Sequence, residues 1–162
     1  MTIGQTLVPE FDLEMTTTRR VLERVPGDKG QWKPHPKSFA LAHLAQLVAT
    51  MPGWLTRTIR DIEIDLAKSA GYSVEKTETL LGQFDQHVRE ARAALAAVTD
   101  ADLGVMWSLK QGDRVLFSSP RGPVVRQHIN HLVHHRGQLT VYLRLLDVPV
   151  PSIYGPTADE RW

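Results

Sequence analysis

Apolar positions recur three and four residues apart along most of this chain, the spacing of helices that bury one face. From about Leu7 to Val25 the repeat is carried by Phe11, Met15, Val21, Leu22 and Val25, and Pro26-Gly27-Asp28 stops it. A loop from Lys29 to Lys37 holds Trp32, Pro34, His35 and Pro36. Ser38 then has the chemistry of an N-cap for a second helix. That helix carries Leu41, Leu44, Leu47, Val48, Met51 and Leu55, places His43 in a stripe with Leu44, Leu47 and Met51, and is expected to kink at Pro52. The segment from Ile59 to Ser73 is ambiguous, with helical charges and a breaking Gly71. A third helix is predicted from about Val74 to Val98, on Leu80, Leu81, Phe84, Val88, Ala91 and Leu95.

Between Asp102 and Pro120 the pattern changes. Gln111-Gly112-Asp113 separates Trp107-Ser108-Leu109 from Val115-Leu116-Phe117, which predicts a small hairpin. A fourth helix follows from about Arg121 to Leu146 and ends at Val148-Pro149-Val150-Pro151. The tail, Ser152 to Trp162, contains Ile153, Tyr154 and Trp162, so part of it is expected to pack back on the body. Four helices of this length with few strands predict an all-α four-helix bundle, with the hairpin before the last helix, and bundles of this kind build sites from side chains on facing helices. The 162 residues fit one domain over the whole chain.

Charge narrows the partners. Nineteen basic and 18 acidic side chains give a net charge of +1, without the basic surplus that nucleic acid requires. No run of about 18 apolar residues marks a membrane span, and the first residues, Met-Thr-Ile-Gly-Gln-Thr-Leu-Val-Pro, lack the pattern of a signal peptide. A cytoplasmic location is the simplest expectation. The chain has no cysteine, so disulfides, thiolate metal ligands and a cysteine nucleophile are excluded.

The candidate chemistry lies in the fourth helix, in Gln-His-Ile-Asn-His-Leu-Val-His-His-Arg-Gly-Gln-Leu, residues 127–139. His131 and His135 are four apart, so both imidazoles leave one face about one turn apart and can grip one metal ion. Together with Gln138 and Tyr142 they form a polar stripe along the edge of the apolar face of Leu132, Leu139 and Leu143, while His134 points away from it. His128 is a rival for pairing with His131, but it and His135 are about 10.5 Å apart along the axis and cannot share an ion. His43 is the best candidate for a third ligand. The bland alternatives are a hydrogen-bonded core histidine at 43, a chance surface pair at 131 and 135, and histidines that favour the C-terminal half of a helix. No His-Glu-x-x-His, Glu-x-x-His, Gly-x-Ser-x-Gly or phosphate-binding loop is present. Trp32, Trp54 and Trp107 suit core or pocket walls better than a base-stacking platform.

The segment Asn130-His131-Leu132-Val133-His134-His135-Arg136-Gly137-Gln138-Leu139, with Tyr142-Leu143-Arg144 after it, resembles the signature of the DinB/YfiT-like superfamily. Val150-Pro151-Ser152-Ile153-Tyr154-Gly155 fits as well, as does Trp32-Lys33-Pro34-His35-Pro36-Lys37-Ser38 leading into a helix with His43. The resemblance implies an up-down-down-up four-helix bundle, commonly a homodimer, with a divalent metal, often zinc or nickel, on three histidines. The matching positions are His43, His131 and His135. It further implies a small-molecule substrate. Some relatives are thiol transferases that use bacillithiol, mycothiol or glutathione, and others are hydrolases or isomerases.

From these readings Gln138 or a main-chain carbonyl is expected to orient a ligand imidazole, and Tyr142 to line the pocket, donate a proton or simply fill a helix interface. Arg136 is expected to tie the tail or a neighbouring helix through carboxylates such as Asp159 or Glu160. A non-catalytic bundle that binds metal or a small ligand is the alternative to an enzyme.

Overall fold

A computed structural model describes residues 1–161 apart from Ala70, Val74 and Glu75. It is mostly helical: α1 (Ile3–Leu22), α2 (Leu41–Arg60), α3 (Thr77–Ala97), the short α4 (Asp100–Leu103) and α5 (Arg121–Leu145), with strands β1 (Glu63–Asp65), β2 (Met106–Gln111) and β3 (Arg114–Pro120). Among the described residues no helix is long and apolar enough to cross a membrane.

Helix α1 begins earlier than the hydrophobic pattern suggests. Thr2 and Gln5 form a capping box, each side chain meeting the other's backbone N–H at 3.2 and 3.1 Å, which satisfies two of the donors a helix start leaves open. Pro9 lies inside this helix, where its missing N–H leaves only the carbonyl of exposed Gln5 to water.

The start of α2 differs from expectation in the other direction. Its N-cap is Ala40, and Ser38 instead closes a turn, donating its N–H to His35 O at 2.9 Å. No side chain caps this helix because the preceding loop does so with its backbone. The N–H groups of Leu41 and Ala42 reach Trp32 O and Gly30 O at 2.9 and 3.0 Å. The helix runs through Pro52 as one continuous element. The start expected for the third helix at Val74 lies outside the described residues; the helix itself begins at Thr77, whose hydroxyl donates to Val25 O at 3.0 Å.

The ambiguous segment after Ile59 becomes the last turn of α2, strand β1 and a 3-10 turn at Leu66–Lys68. Strand β1 pairs in parallel with β2, Ile64 opposite Leu109, and β2 pairs with β3 as the expected hairpin, Leu109 opposite Phe117. Gly112 turns that hairpin at a φ of 60°, where a side chain is unfavourable. Asp65 joins the layers by accepting from the Gly112 N–H at 2.9 Å.

The four long helices share one core: Phe11, Met15 and Leu22 from α1, Leu44, Val48, Met51 and Leu55 from α2, Phe84 and Leu95 from α3, and Ile129, Leu132, Leu139 and Leu143 from α5. Ion pairs fix the register of α1 on α3, Arg92 with Asp12 and Arg19 with Asp85, both at 2.8–2.9 Å. Gly4 marks their closest approach, because a Cβ there would stand 2.4 Å from Leu95 O and 2.5 Å from Val98 Cγ1. The neighbour is backbone and cannot step aside, so Gly4→Ala should destabilise the fold by about 1–3 kcal/mol despite alanine's better helix propensity. Urea denaturation would register this as a lower midpoint; an unchanged or raised midpoint would mean the two helices separate freely at that end.

A second, small cluster of Ile64, Trp107 and Val124, with Trp54 and Leu109 against it, joins the sheet to α2 and α5. Part of the tail packs back as expected: Val150 just before it is buried and Ile153 lies against the core, while Trp162 lies outside the described residues. Arg144 pairs with Asp159 and Arg20 with Glu160 along it.

Candidate functional site

On α5 the residues of the expected polar stripe take different surroundings: His131 meets Trp54 of α2 and borders the sheet, His135 approaches Phe39, Gln138 is exposed and Tyr142 is buried. His131 and His135 come together, with their Nε2 atoms 3.0 Å apart. Two nitrogens held about 2.0–2.1 Å from one tetrahedral ion stand about 3.3 Å apart, so this pair needs only a few tenths of an ångström of spreading to grip a metal. His135 Nδ1 lies 2.7 Å from Gln138 Oε1, and Gln138 Nε2 lies 3.2 Å from His134 Nε2. With the amide oxygen accepting from Nδ1–H, the lone pair of His135 is placed on Nε2, the atom that faces His131. Gln138 therefore stands where an orienting acceptor was expected.

His43 lies on α2 across from this pair. Its ring is stacked between Phe39 and Tyr72, with centroids 4.3 and 3.9 Å away, and Phe39 also approaches His135 at 6.4 Å. The expected stripe of His43 with Leu44, Leu47 and Met51 is corrected here. Those three are buried, whereas His43 is half-buried and continues along α2 with Gln46, Thr50, Trp54 and Arg57, a row outside the core. At about 100° per residue these five stay on one face, and it is the face turned toward α5. Among the described residues no three His, Cys, Asp or Glu side chains converge closely enough to hold a metal ion, so two imidazoles of the expected three are assembled and His43 is set beside them by the Phe39 ring.

Burial lowers the pKa of His43, with the positive charge of Lys33 adding to the effect. It also lowers that of His131, with His135 and His134 adding to it. Both shifts favour the neutral form whose lone pair a metal needs. His128 takes a different role. Its Nε2 lies 3.0 Å from Thr58 Oγ1, its ring meets Trp107 and Trp54 edge-on, and burial, with His131 adding, lowers its pKa to about 4. A partner on α2 thus occupies the nitrogen that would be needed for a metal.

Tyr142 is buried at the helix interface. Its hydroxyl donates to Phe39 O at 3.3 Å and its ring meets Trp32 edge-on at 5.5 Å, so it pins the loop that carries Phe39. It also borders a shallow pocket with Gln138, His135 and Phe39. Arg136 ties α1 and the tail, as expected of it, but through other partners. Nη1 lies 2.6 Å from Glu14 Oε2, with hydrogen bonds to Glu14 O and Thr18 Oγ1, and Nη2 donates to the Tyr154 hydroxyl at 2.9 Å. Asp159 and Glu160 are taken by Arg144 and Arg20 on the surface, where carboxylates stay hydrated.

Beside the histidine pair opens a cavity of about 660 Å³, bounded by α2, α5 and the sheet. Trp54, Tyr72, Trp107 and Phe117 supply its apolar walls and His131 its border with the pair. The sequence left Trp54 and Trp107 open between core and pocket walls and held no signal for the cavity itself, because β1, which helps close it, lies in the ambiguous segment.

A helical frame whose last long helix aims two histidines at an earlier helix, beside a walled cavity, defines a class of small helical proteins with a candidate site between facing helices. The model of the DinB family matches residues 3–161, and the chain belongs to that family. Its fold is similar to a DinB-like protein from Bacillus cereus ATCC 10987, with a TM-score of 0.72 and 20% identity over 93% of this chain and 97% of that one. It is also similar to the DinB-like protein YjoA from Bacillus subtilis, with a TM-score of 0.69 and 18% identity over 88% and 92%. At these identities the likeness concerns the fold. The uncharacterized protein YrdA of Bacillus subtilis (strain 168) is 49% identical over 43 residues, a stretch that spans 26% of this chain and 25% of that protein.

Proposed function

We propose that this chain is a divalent-metal-dependent enzyme of the DinB type, with His43, His131 and His135 as ligands and zinc or nickel as the metal. The approach of His131 and His135 to 3.0 Å is the observation that carries the reading. The lowered pKa values of His43 and His131 and the placement of Gln138 beside His135 support it. Contact registers support the four-helix bundle in up-down-down-up order. On α1 and α3 the numbering runs in opposite senses from Gly4–Leu95 to Arg19–Asp85, on α2 and α5 it does so from Thr58–His128 to Asp61–Arg121, and on α2 and α3 it rises together, Ala45 lying by Leu80 and Gly53 by His87.

His43, His131 and His135 would hold the ion as neutral ligands, and the chemistry supplied there would be that of a Lewis acid, acidifying a thiol or water and polarising a substrate oxygen. The chain's own groups do the rest. Gln138 fixes the tautomer of His135, Tyr142 holds the Phe39 loop against the site, and the cavity walls exclude water from a bound substrate. Transfer of a low-molecular-weight thiol (bacillithiol, mycothiol or glutathione) to a small electrophile is the reaction class, and hydrolysis is the second reading. A homodimer in the cytoplasm is the proposed setting.

Metal content by mass spectrometry on untagged protein, beside His43→Ala, tests the site. About one ion per chain in wild type and none in the variant is expected; equal metal in both would remove His43 from the set. Turnover of an electrophile only with added thiol separates transferase from hydrolase.

A further inference from the structure

The geometry points to a substrate class for this site: an aromatic acid, its ring in the cavity between α2, α5 and the sheet and its anionic group at Arg57 and Lys68. The inference rests on the proposed site for the orientation of the ligand, because His131 borders the cavity at the end where the histidine pair lies. Three observations carry it. At about 660 Å³ the cavity is in the range of small-molecule sites, and its walls are aromatic from opposite sides, Trp54 on α2, Trp107 and Phe117 on the sheet. Flat rings are the shape such walls accept, through edge and offset contacts.

The second observation is charge. Arg57 and Lys68 line the cavity, and among the described residues no Asp or Glu does. Arg57 pairs with Asp61 at 3.6 Å and Lys68 with Asp65 at 3.8 Å, beyond hydrogen-bond distance, and both cationic side chains are exposed, so each keeps donors that an anion can engage. The third is distance along the frame. Thr50 and Arg57 both line the cavity and are seven residues apart on α2, about 10 Å of helix rise. A ligand with its anion at Arg57 therefore extends its other end along α2 toward the histidines. The indole N–H of Trp107, buried and without an acceptor, leaves an unmet donor in the same wall.

The test uses metal-free protein, so that it succeeds or fails independently of the metal. 4-Phenylbutyrate, its uncharged amide and the analogous phenylbutylammonium are titrated while the intrinsic tryptophan fluorescence, to which Trp54 and Trp107 in the cavity wall contribute, is followed, with calorimetry in parallel. The acid should bind tightest and the ammonium weakest. Arg57→Gln should weaken the acid about fivefold, the scale of a half-exposed ion pair, and leave the amide unchanged. Thr50→Phe should weaken all three by filling the cavity, with circular dichroism confirming the fold. Equal binding of acid and ammonium would overturn the anionic assignment. Absence of binding at millimolar concentration, or binding indifferent to Thr50→Phe, would overturn the cavity as the site. Metal content that fails to depend on the histidines, with the acid still bound, would remove the proposed enzyme and keep the ligand.

Discussion

Arg136→Ala should cost the fold about 3–5 kcal/mol, a large share of the roughly 5–15 kcal/mol that holds a domain of this size. Arg136 is 2% exposed and Glu14 7%, and the guanidinium ties α5 to two other elements: α1, at Glu14 O and Thr18 Oγ1, and the tail, through Tyr154. Tyr154 in turn donates to Glu14 Oε1 at 2.8 Å. Removing the cation leaves a buried carboxylate with only the tyrosine to answer it, and that desolvated charge, rather than the lost contact, sets the size of the effect. Tyr154→Phe removes one hydrogen bond and should cost about 1–2 kcal/mol. The double change Glu14→Leu with Arg136→Met removes both charges, and should recover most of the loss from Arg136→Ala. Urea denaturation of the three variants distinguishes these. If Arg136→Ala is no worse than Tyr154→Phe, water reaches the pair and it is not a buried one.

His131→Ala should lower metal affinity by more than about 100-fold while leaving the helical content intact, because the side chain is at the edge of the core and its removal exposes no buried charge. Gln138→Ala should lower it about 10–100-fold, the usual effect of losing the group that orients a ligand imidazole. His128→Ala should leave metal content unchanged but reduce stability, since its nitrogen is engaged with Thr58 and its ring fills the corner between Trp54 and Trp107. Metal titration of the purified variants decides between the two possible pairs. Loss of metal in His128→Ala with retention in His135→Ala would place the site one turn earlier on α5.

Much of this was legible from periodicity. Burial of one helix face is a local matter, repeated every three or four residues, so the buried faces of the four long helices and the polar stripe of His131, His135, Gln138 and Tyr142 follow from the order of residues alone. The pairing of His131 with His135 is of the same kind, because both are on one helix and the spacing fixes their geometry. The hairpin was legible too, since its turn residues carry their own backbone preference at Gly112.

Only the tertiary structure decided what depends on residues distant in the chain. The cap of α2 is made by carbonyls at Gly30 and Trp32, which leave no mark on the residue that starts the helix. The partner of Arg136 is Glu14, more than a hundred residues away, and local charge could not choose it over Asp159. Strand β1 is three residues long and gains its ladder from β2, so nothing within it sets it apart from a loop. The row on which His43 lies, the Phe39 ring beside it and the cavity walled by α2, α5 and the sheet arise from how these elements are laid against one another. Sequence determines which faces are apolar and which residues share them; packing determines which faces meet, because that depends on the whole set of contacts rather than on any one stretch.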